Sequence, residues 1–391
     1  MTMKKSTSQI LKDNTMLIVL VVVYLAFTAA TRGSMFSPFN FNELVTQNAY
    51  VFILASGMLM CMLTGGNIDL SCGSLVCFLG AIGAYFMAIR GFGAGASIVL
   101  MLLIGIVYGC VLGFLVAYVN VPPWIATLAG YLAFRGLGTD ILSSNSTTGS
   151  ISVKSVESFL RIFAGRLFPT KLNVLNIPCI TVGIVAAVVV VMLNVIGRAN
   201  KLKKGYEADS AAMMLGKSVL EAAVILLVAY KLAKAGGIPT VLVWVAIVVL
   251  FYSFITEKTT IGRHFYVVGG NREAARLSGV NTKRIMFLAY LNMAIVTVIT
   301  TWVVLARVQA ANSTAGTNYE MDAISACVVG GVSAYGGAGR IIGMVIGATL
   351  IGVINLGMNL LSWDANWQKV IKGVVLLAAV AFDILSKKNA K

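Results

Sequence analysis

Apolar runs of about 20 residues, separated by short polar or charged stretches, recur along almost the whole chain. A helix needs about 20 apolar residues to cross the hydrocarbon of a bilayer. Twelve stretches qualify: 15–32, 43–64, 72–89, 95–119, 123–140, 179–197, 216–234, 237–256, 283–307, 321–334, 340–361 and 367–386. Twelve such spans take roughly 240 positions, in agreement with a 391-residue chain that is 59% hydrophobic. Two of them stand apart. The stretch 123–140 opens on Pro122 and Pro123 and contains Arg135, and 321–334 is short, so each has the character of a broken or half-spanning helix lining a cavity. The expected fold class is an all-α polytopic membrane protein with about 12 transmembrane segments, residues 1–391 forming a single transmembrane domain.

Composition sharpens this picture. Only 11% of residues are charged and the mean hydropathy is +0.90, which excludes a water-soluble globule. The formal charge is +16, but no basic stripe lies on a polar domain, so nucleic acid is not an expected partner. The charges sit between apolar runs, where they set topology. An even number of spans puts both termini on one side, and both are basic, with Lys4, Lys5 and Lys12 at the start and Lys387, Lys388 and Lys391 at the end. The positive-inside rule makes that side cytoplasmic. It also places inside Arg198, Lys201, Lys203 and Lys204, and the loop 262–282 with its neighbours Lys258, Lys283 and Arg284. The outer, periplasmic segment 141–178 carries Lys154, Arg161, Arg166 and Lys171 and is too long for a simple turn, which makes it a candidate docking surface. Lys4, Lys5, the apolar run from Met16 and the small pair Ala29 and Ala30 imitate a signal peptide; the expectation is an uncleaved first helix.

Enzymatic chemistry finds little support. Cys61, Cys72, Cys77, Cys110, Cys179 and Cys327 lie within or beside apolar runs without a C-x-x-C pair, as small residues packing between helices do. His264 stands alone in a polar loop beside Arg263, and no Ser or Cys nucleophile has a partner in sequence, so the chain is not expected to be an enzyme. Gly216-Lys217-Ser218 resembles the end of a phosphate-binding loop, but Ala211 stands where that motif requires glycine. Gly91-Phe92-Gly93-Ala94-Gly95 reads as a turn between spans. If ATP drives this protein, another subunit binds it.

Three constellations stand out. Gly65-Gly66-Asn67-Ile68-Asp69-Leu70-Ser71-Cys72-Gly73-Ser74 ends one span and opens the next, with Asp69 or Ser71 able to cap free N–H groups; a well-made tight turn explains it equally well. A second glycine-rich turn runs from Gly330 to Arg340, and the two turns would let backbones approach closely where subdomains meet. The third is Gly269 to Val280. Asn271 is a good N-cap, Glu273 lies in the first turn, Arg276 near the end, and Gly279 suits the left-handed position beyond it, which predicts a surface helix of about two turns. Ala274, Ala275 and Leu277 give it a small apolar face with nothing obvious in its own loop to cover it, so the helix is either a solvated loop element or a knob for a partner's groove.

This last segment resembles the coupling helix in permease subunits of bacterial ATP-binding-cassette importers. Together with Ile68-Asp69-Leu70-Ser71, Gly73-Ser74, Val121-Pro122-Pro123, Arg135-Gly136-Leu137, Gly262-Arg263, Tyr319-Glu320-Met321-Asp322-Ala323-Ile324, Gly330-Gly331-Val332-Ser333, Gly336-Gly337 and Ile371-Lys372-Gly373, it resembles the ribose, galactose and xylose branch, over most of the chain and in the same motif order. Cys72 stands where that family usually has valine. The stretch 198–236 looks like an extra helical hairpin in a ten-span scaffold, as in the longer xylose or multiple-sugar permeases.

The resemblance implies a homodimer in the lipid bilayer of the bacterial cytoplasmic membrane, a separate cytoplasmic ATPase that binds ATP and Mg, and an extracytoplasmic sugar-binding protein. It implies no cofactor on this chain, and coupling through Asn271, Glu273, Ala274, Ala275, Leu277 and Gly279. Polarity alone nominates Asp69, Ser71, Asn120, Thr127, Asn292, Asn312, Asn355 and Asn359 for the path or its gate, although a helix-to-helix hydrogen bond explains each equally well. The rival class is a sugar carrier driven by an ion gradient, which usually needs paired carboxylates deep in the membrane. Asp69, Asp322 and Asp383 lie near span ends, and Glu221, four residues from Lys217, reads as half of a helix-surface ion pair.

Overall fold

A backbone amide in hydrocarbon finds no water, so an apolar run must satisfy its own N–H and C=O groups, which a helix does within one segment. The computed structural model of the protein, which describes residues 15–388 apart from 173 and 207–209, is accordingly built mainly of helices. In chain order, α1 is Thr15–Ala30, α2 Pro38–Gln47, α3 Ala49–Leu63, α4 Cys72–Ala84, α5 Ala94–Phe114 and α6 Pro123–Asn145. They are followed by α7 Glu157–Ala164, α8 Ile177–Lys203, α9 Ala211–Lys234, α10 Thr240–Lys258, α11 Thr260–Gly270 and α12 Arg272–Leu277. The last four are α13 Thr282–Val308, α14 Tyr319–Val329, α15 Ile341–Leu360 and α16 Ala365–Lys388. Short strands β1 (Ser150–Ser152), β2 (Arg166–Leu167), β3 (Ile238–Pro239) and β4 (Ala310–Asn312) pair antiparallel, β1 with β4 and β2 with β3.

Among the described residues, eight helical stretches are long and apolar enough to cross a membrane: α2 with α3, α4 and α5 each with a π-helical turn at its end, and α8, α9, α10, α13 and α15. They coincide with eight of the twelve expected spans. The other four differ for identifiable reasons. At 16 residues α1 is about 24 Å long, short of a core roughly 30 Å thick. The stretch 123–140 is not broken: α6 is one continuous helix of 23 residues, because Pro122 and Pro123 sit at its start, where a missing N–H is no loss. Arg135 and Asp140 interrupt its apolar surface. The stretch 321–334 is indeed half-length, since α14 has 11 residues. The stretch 367–386 lies within α16; side chains from 382 onward, including Asp383, are outside the described residues, as are the terminal lysines that carried the topology argument.

Burial divides the helices into an inner and an outer set. Two-thirds or more of the most apolar stretch is buried in α2 with α3, α4, α13 and α15, against 17% in α8 and 6% in α9. The seam of α5 on α13 is built from Gly105, Gly109 and Gly113, one residue in four; a Cβ at Gly109 would lie 2.8 Å from the Ala294 Cβ, and one at Gly113 the same distance from the Phe287 carbonyl oxygen. Small residues at this spacing let helices approach closely in lipid, where dispersion rather than water drives association. The region 198–236 holds the end of α8 and the whole of α9, which pack on each other, and α8 begins at Ile177: the apolar run 177–197 and the basic residues after it form one uninterrupted helix. Segment 141–178 exposes most of its residues but is anchored to the helices. Its helix α7 buries Phe159 and Phe163 completely, and the Phe163 ring packs 5.2 Å from Trp244 and 5.4 Å from Trp302.

The glycine turns do bring backbones together, and a third partner joins them. Gly337 N–H donates to the Leu63 carbonyl at 3.1 Å. A Cβ at Gly66 would fall 2.0 Å from the Ala334 oxygen, one at Gly336 2.4 Å from the Gly65 Cα, and one at Gly269 1.7 Å from the Leu63 oxygen. The end of α3, the turn between α14 and α15, and the end of α11 therefore meet backbone on backbone, and α12 begins directly after this junction. Gly269→Val should lower the midpoint of thermal inactivation in detergent by several degrees, as overpacking of about 1–3 kcal/mol would. Gly270→Ala, with open space around its added methyl, should leave it unchanged; equal midpoints in the two variants would refute this account of the junction.

Candidate functional site

At the junction end, α12 is a well-terminated short helix. The Asn271 side chain accepts from Ala274 N–H at 2.9 Å. At the other end Val280 N–H reaches the Ala275 carbonyl and Gly279 N–H the Arg276 carbonyl, both at 3.0 Å, with Gly279 at φ 84°. These are the two bonds of a Schellman cap. Glu273 and Arg276 pair across one turn, and the guanidinium, first by hydrogen bonding and then by charge, holds the Glu273 carboxyl below its ordinary range. The pair therefore stays ionised at neutral pH, and its contribution would fade only as pH falls through that lowered value. The expected apolar face is divided in two. Ala275 is fully buried within the chain's own core, whereas Ala274 and Leu277 point outward and Leu277 is 77% exposed. The loop 262–282 is mostly helix, with His264 on α11, because Phe265 and Val268 give α11 an inward apolar side.

Beside α12 lies a polar cavity of about 360 Å³, bordered by Thr64, Asn67, Asn120, Pro122, Asn271 and Arg272 among others. Asn120 reaches it from a left-handed backbone position, φ 63°, between α5 and α6.

A second polar cavity, of about 350 Å³, lies far from α12. Its Arg307 is 25 residues along α13 from Thr282, about 37 Å at 1.5 Å per residue. The break between α2 and α3 builds its inner wall. Asn48 sits there with its side-chain N–H groups on the carbonyls of Leu44 (2.9 Å) and Gly352 (3.4 Å), and its side-chain oxygen accepts from Asn355 at 3.2 Å. Tyr50, the second residue of α3, stacks on Tyr319 at the start of α14, centroids 3.7 Å apart. The Tyr50 hydroxyl donates to Asp322 at 2.5 Å, and Lys372 from α16 reaches the same carboxylate oxygen at 2.9 Å. Gln47, Arg307, Asn359 and Gln368 complete the rim, Arg307 lying 3.6 Å from the Glu43 carboxylate. A polar cavity thus lies near each end of α13, and the half-helix α14 runs from the second cavity to the glycine junction.

A protein-family model described as the permease component of a branched-chain amino acid transport system matches residues 40–380. The chain belongs to this permease family. The xylose transport system permease protein of Haemophilus influenzae is 33% identical over 376 residues, 96% of each chain. That of Escherichia coli K12 is 31% identical, covering 96% of this chain and 92% of its own, and the ribose import permease protein of the same strain is 29% identical over 94% and 92%. No solved structure matches the chain. As a permease with apolar helices of spanning length, the protein is a multi-pass protein of the bacterial cytoplasmic membrane.

The polar residues nominated from sequence do not converge on one site in this permease. Asn120 borders the cavity beside α12, while Asn355 and Asn359 border the distant one. Asn292 accepts from the Tyr252 hydroxyl in an otherwise apolar crevice. Asn312 lies in β4 opposite Ser150. Asp69, Ser71 and Thr127 are packed inside and border neither cavity. Asp69 accepts from the backbone and the hydroxyl of Ser71, at 2.8 and 2.5 Å, Tyr108 donates to that hydroxyl at 2.8 Å, and Thr127 bonds back to the Pro123 carbonyl. Asp69 and Ser71 therefore shape the turn before α4, and the Ser71 side chain makes no cap bond to that helix. Glu221 does pair with Lys217, at 3.9 Å, and also accepts from Asn194 at 2.7 Å. Sequence reasoning gave no role to Tyr50, Tyr319, Arg307, Gln368 and Lys372. Tyr319, Asp322 and Lys372 did fall in family-like motifs, but nothing in the sequence joins residues 50, 322 and 372. Lys372→Met would leave the buried Asp322 charge unpaired and should lower stability by on the order of 3 kcal/mol. The double variant with Asp322→Asn should recover much of that loss in detergent melts, and a double variant no more stable than Lys372→Met would argue against the pairing.

Proposed function

We propose that this chain is the membrane-spanning permease subunit of an ATP-driven monosaccharide importer for xylose or a similar sugar. In this reading it acts as a homodimer, with a cytoplasmic ATPase that carries ATP and Mg and an extracytoplasmic sugar-binding protein. Twelve membrane segments would place both termini, the basic turn after α8 and the region 262–282 in the cytoplasm, with α7 and its flanking strands outside. The observation that carries the proposal is α12: a capped helix presenting Leu277 and Ala274 to solvent and starting directly after the glycine junction. The xylose and ribose named for the relatives supply the substrate class.

The mechanism follows from mechanical continuity. An ATPase that grips α12 differently in its two nucleotide states supplies the differential contact that any switch requires. Displacement of α12 reaches the end of α3 and the α14–α15 turn through unyielding backbone contacts, and α14 carries it to Tyr319 and Asp322 beneath the outer cavity. The two cavities then open alternately around the inner helices, as in hinge and shear transitions.

Leu277→Asp should abolish co-purification with the ATPase and reduce ATP-dependent uptake in proteoliposomes at least tenfold, with membrane insertion intact; normal association would overturn the role of α12. Wild-type uptake should require ATP and both partners at zero ion gradient, whereas uptake by the chain alone along a proton or sodium gradient would establish the carrier reading instead. A cysteine at Lys203, in a background without native cysteines, should label only from the cytoplasm, and ready periplasmic labelling would overturn the orientation.

A further inference from the structure

We propose that the outer cavity is a binding subsite for one neutral monosaccharide, so that the permease itself takes part in selecting the sugar; the inference rests on the importer reading only for the word sugar. The first argument is an unmet hydrogen bond. Asn355 is 8% exposed and borders the cavity, and its side-chain oxygen has no partner. Its orientation is fixed, because Asn48 uses its own N–H groups on Leu44 and Gly352 and so offers only its oxygen, which takes the Asn355 N–H. A buried acceptor without a donor is unfavourable by about 1–3 kcal/mol, and a small movement of the Asn355 side chain toward the cavity would let a ligand hydroxyl supply the donor.

The second argument is charge. Both cations on the rim already have carboxylates, Arg307 with Glu43 and Lys372 with Asp322. The cavity therefore offers no uncompensated positive charge to an anion and no free carboxylate to a cation, while Asn359 and Gln368 add amides. The third is shape. About 350 Å³ lies at the small end of the roughly 300–1,000 Å³ of small-molecule sites, which suits a single sugar ring, and the Tyr50–Tyr319 stack offers an aromatic surface for its C–H groups. A conduit must release what it binds, so the affinity is weak.

The test uses the full-length chain in lipid nanodiscs without partners, with saturation-transfer NMR on D-xylose and D-ribose as neutral probes and D-xylonate as the anionic one. The neutral sugars should bind, xylonate should not, and Asn355→Leu should weaken binding about tenfold, as loss of one buried hydrogen bond does. Asn359→Leu, at an exposed rim position, should weaken it about threefold without loss of fold, which is checked by an unchanged thermal midpoint. No binding by the wild type, equal binding of xylonate, or unaltered binding in both variants would overturn the subsite. ATP-dependent uptake by the assembled transporter is measured in parallel. Uptake without binding to the isolated chain sinks the subsite and leaves the importer standing; binding without ATP-dependent uptake does the reverse.

Discussion

The contact on which the rest of this permease depends is the backbone junction of Leu63–Gly66, Gly269–Gly270 and Ala334–Gly337. At Gly66, Gly269, Gly336 and Gly337 a side chain is excluded, because carbonyl oxygens and backbone atoms of a neighbouring segment occupy the space that a Cβ would need. Ordinary helix contacts pass through side chains that can change rotamer and absorb a displacement. Backbone packed on backbone has no such slack, so segments joined in this way move together. The short helix α12, the end of α3 and the half-helix α14 share this one anchor, and the proposed transmission from an ATPase to the outer cavity is a consequence of it.

The second constraint is charge in a medium that does not tolerate it. Asp322 and Lys372 meet across α14 and α16, and the Tyr50 hydroxyl takes the same carboxylate oxygen. Such a pair is a weak source of net stability but a strong source of specificity, since either charge alone is costly. It joins α16 to the half-helix at the edge of the cavity bordered by Tyr50, Asn355 and Lys372. The cavity that results is polar in its lining yet compensated in charge, and in this it differs from the carboxylate relays of ion-coupled carriers.

Much of this protein was determined by the sequence alone. Lipid leaves an apolar run of 20 residues little choice but a helix, so eight helices of spanning length and the half-length of α14 could be read from hydropathy. The caps of α12 could be read too, because Asn271, Gly279 and their spacing act within a few residues of each other. Local rules end at the helix boundary. That 123–145 is a single helix despite its two prolines, that α8 begins at Ile177, and that Ala275 is covered while Leu277 is not were settled by packing. So was the sorting of the polar residues. Asp69 and Thr127 close their hydrogen bonds on residues two and four positions away, whereas only tertiary structure brings Asn355 to a cavity beside Asn48. The reason is separation: this cavity joins residues 48, 50, 319, 355 and 372, and a contact between segments hundreds of residues apart leaves no periodicity for a sequence to display.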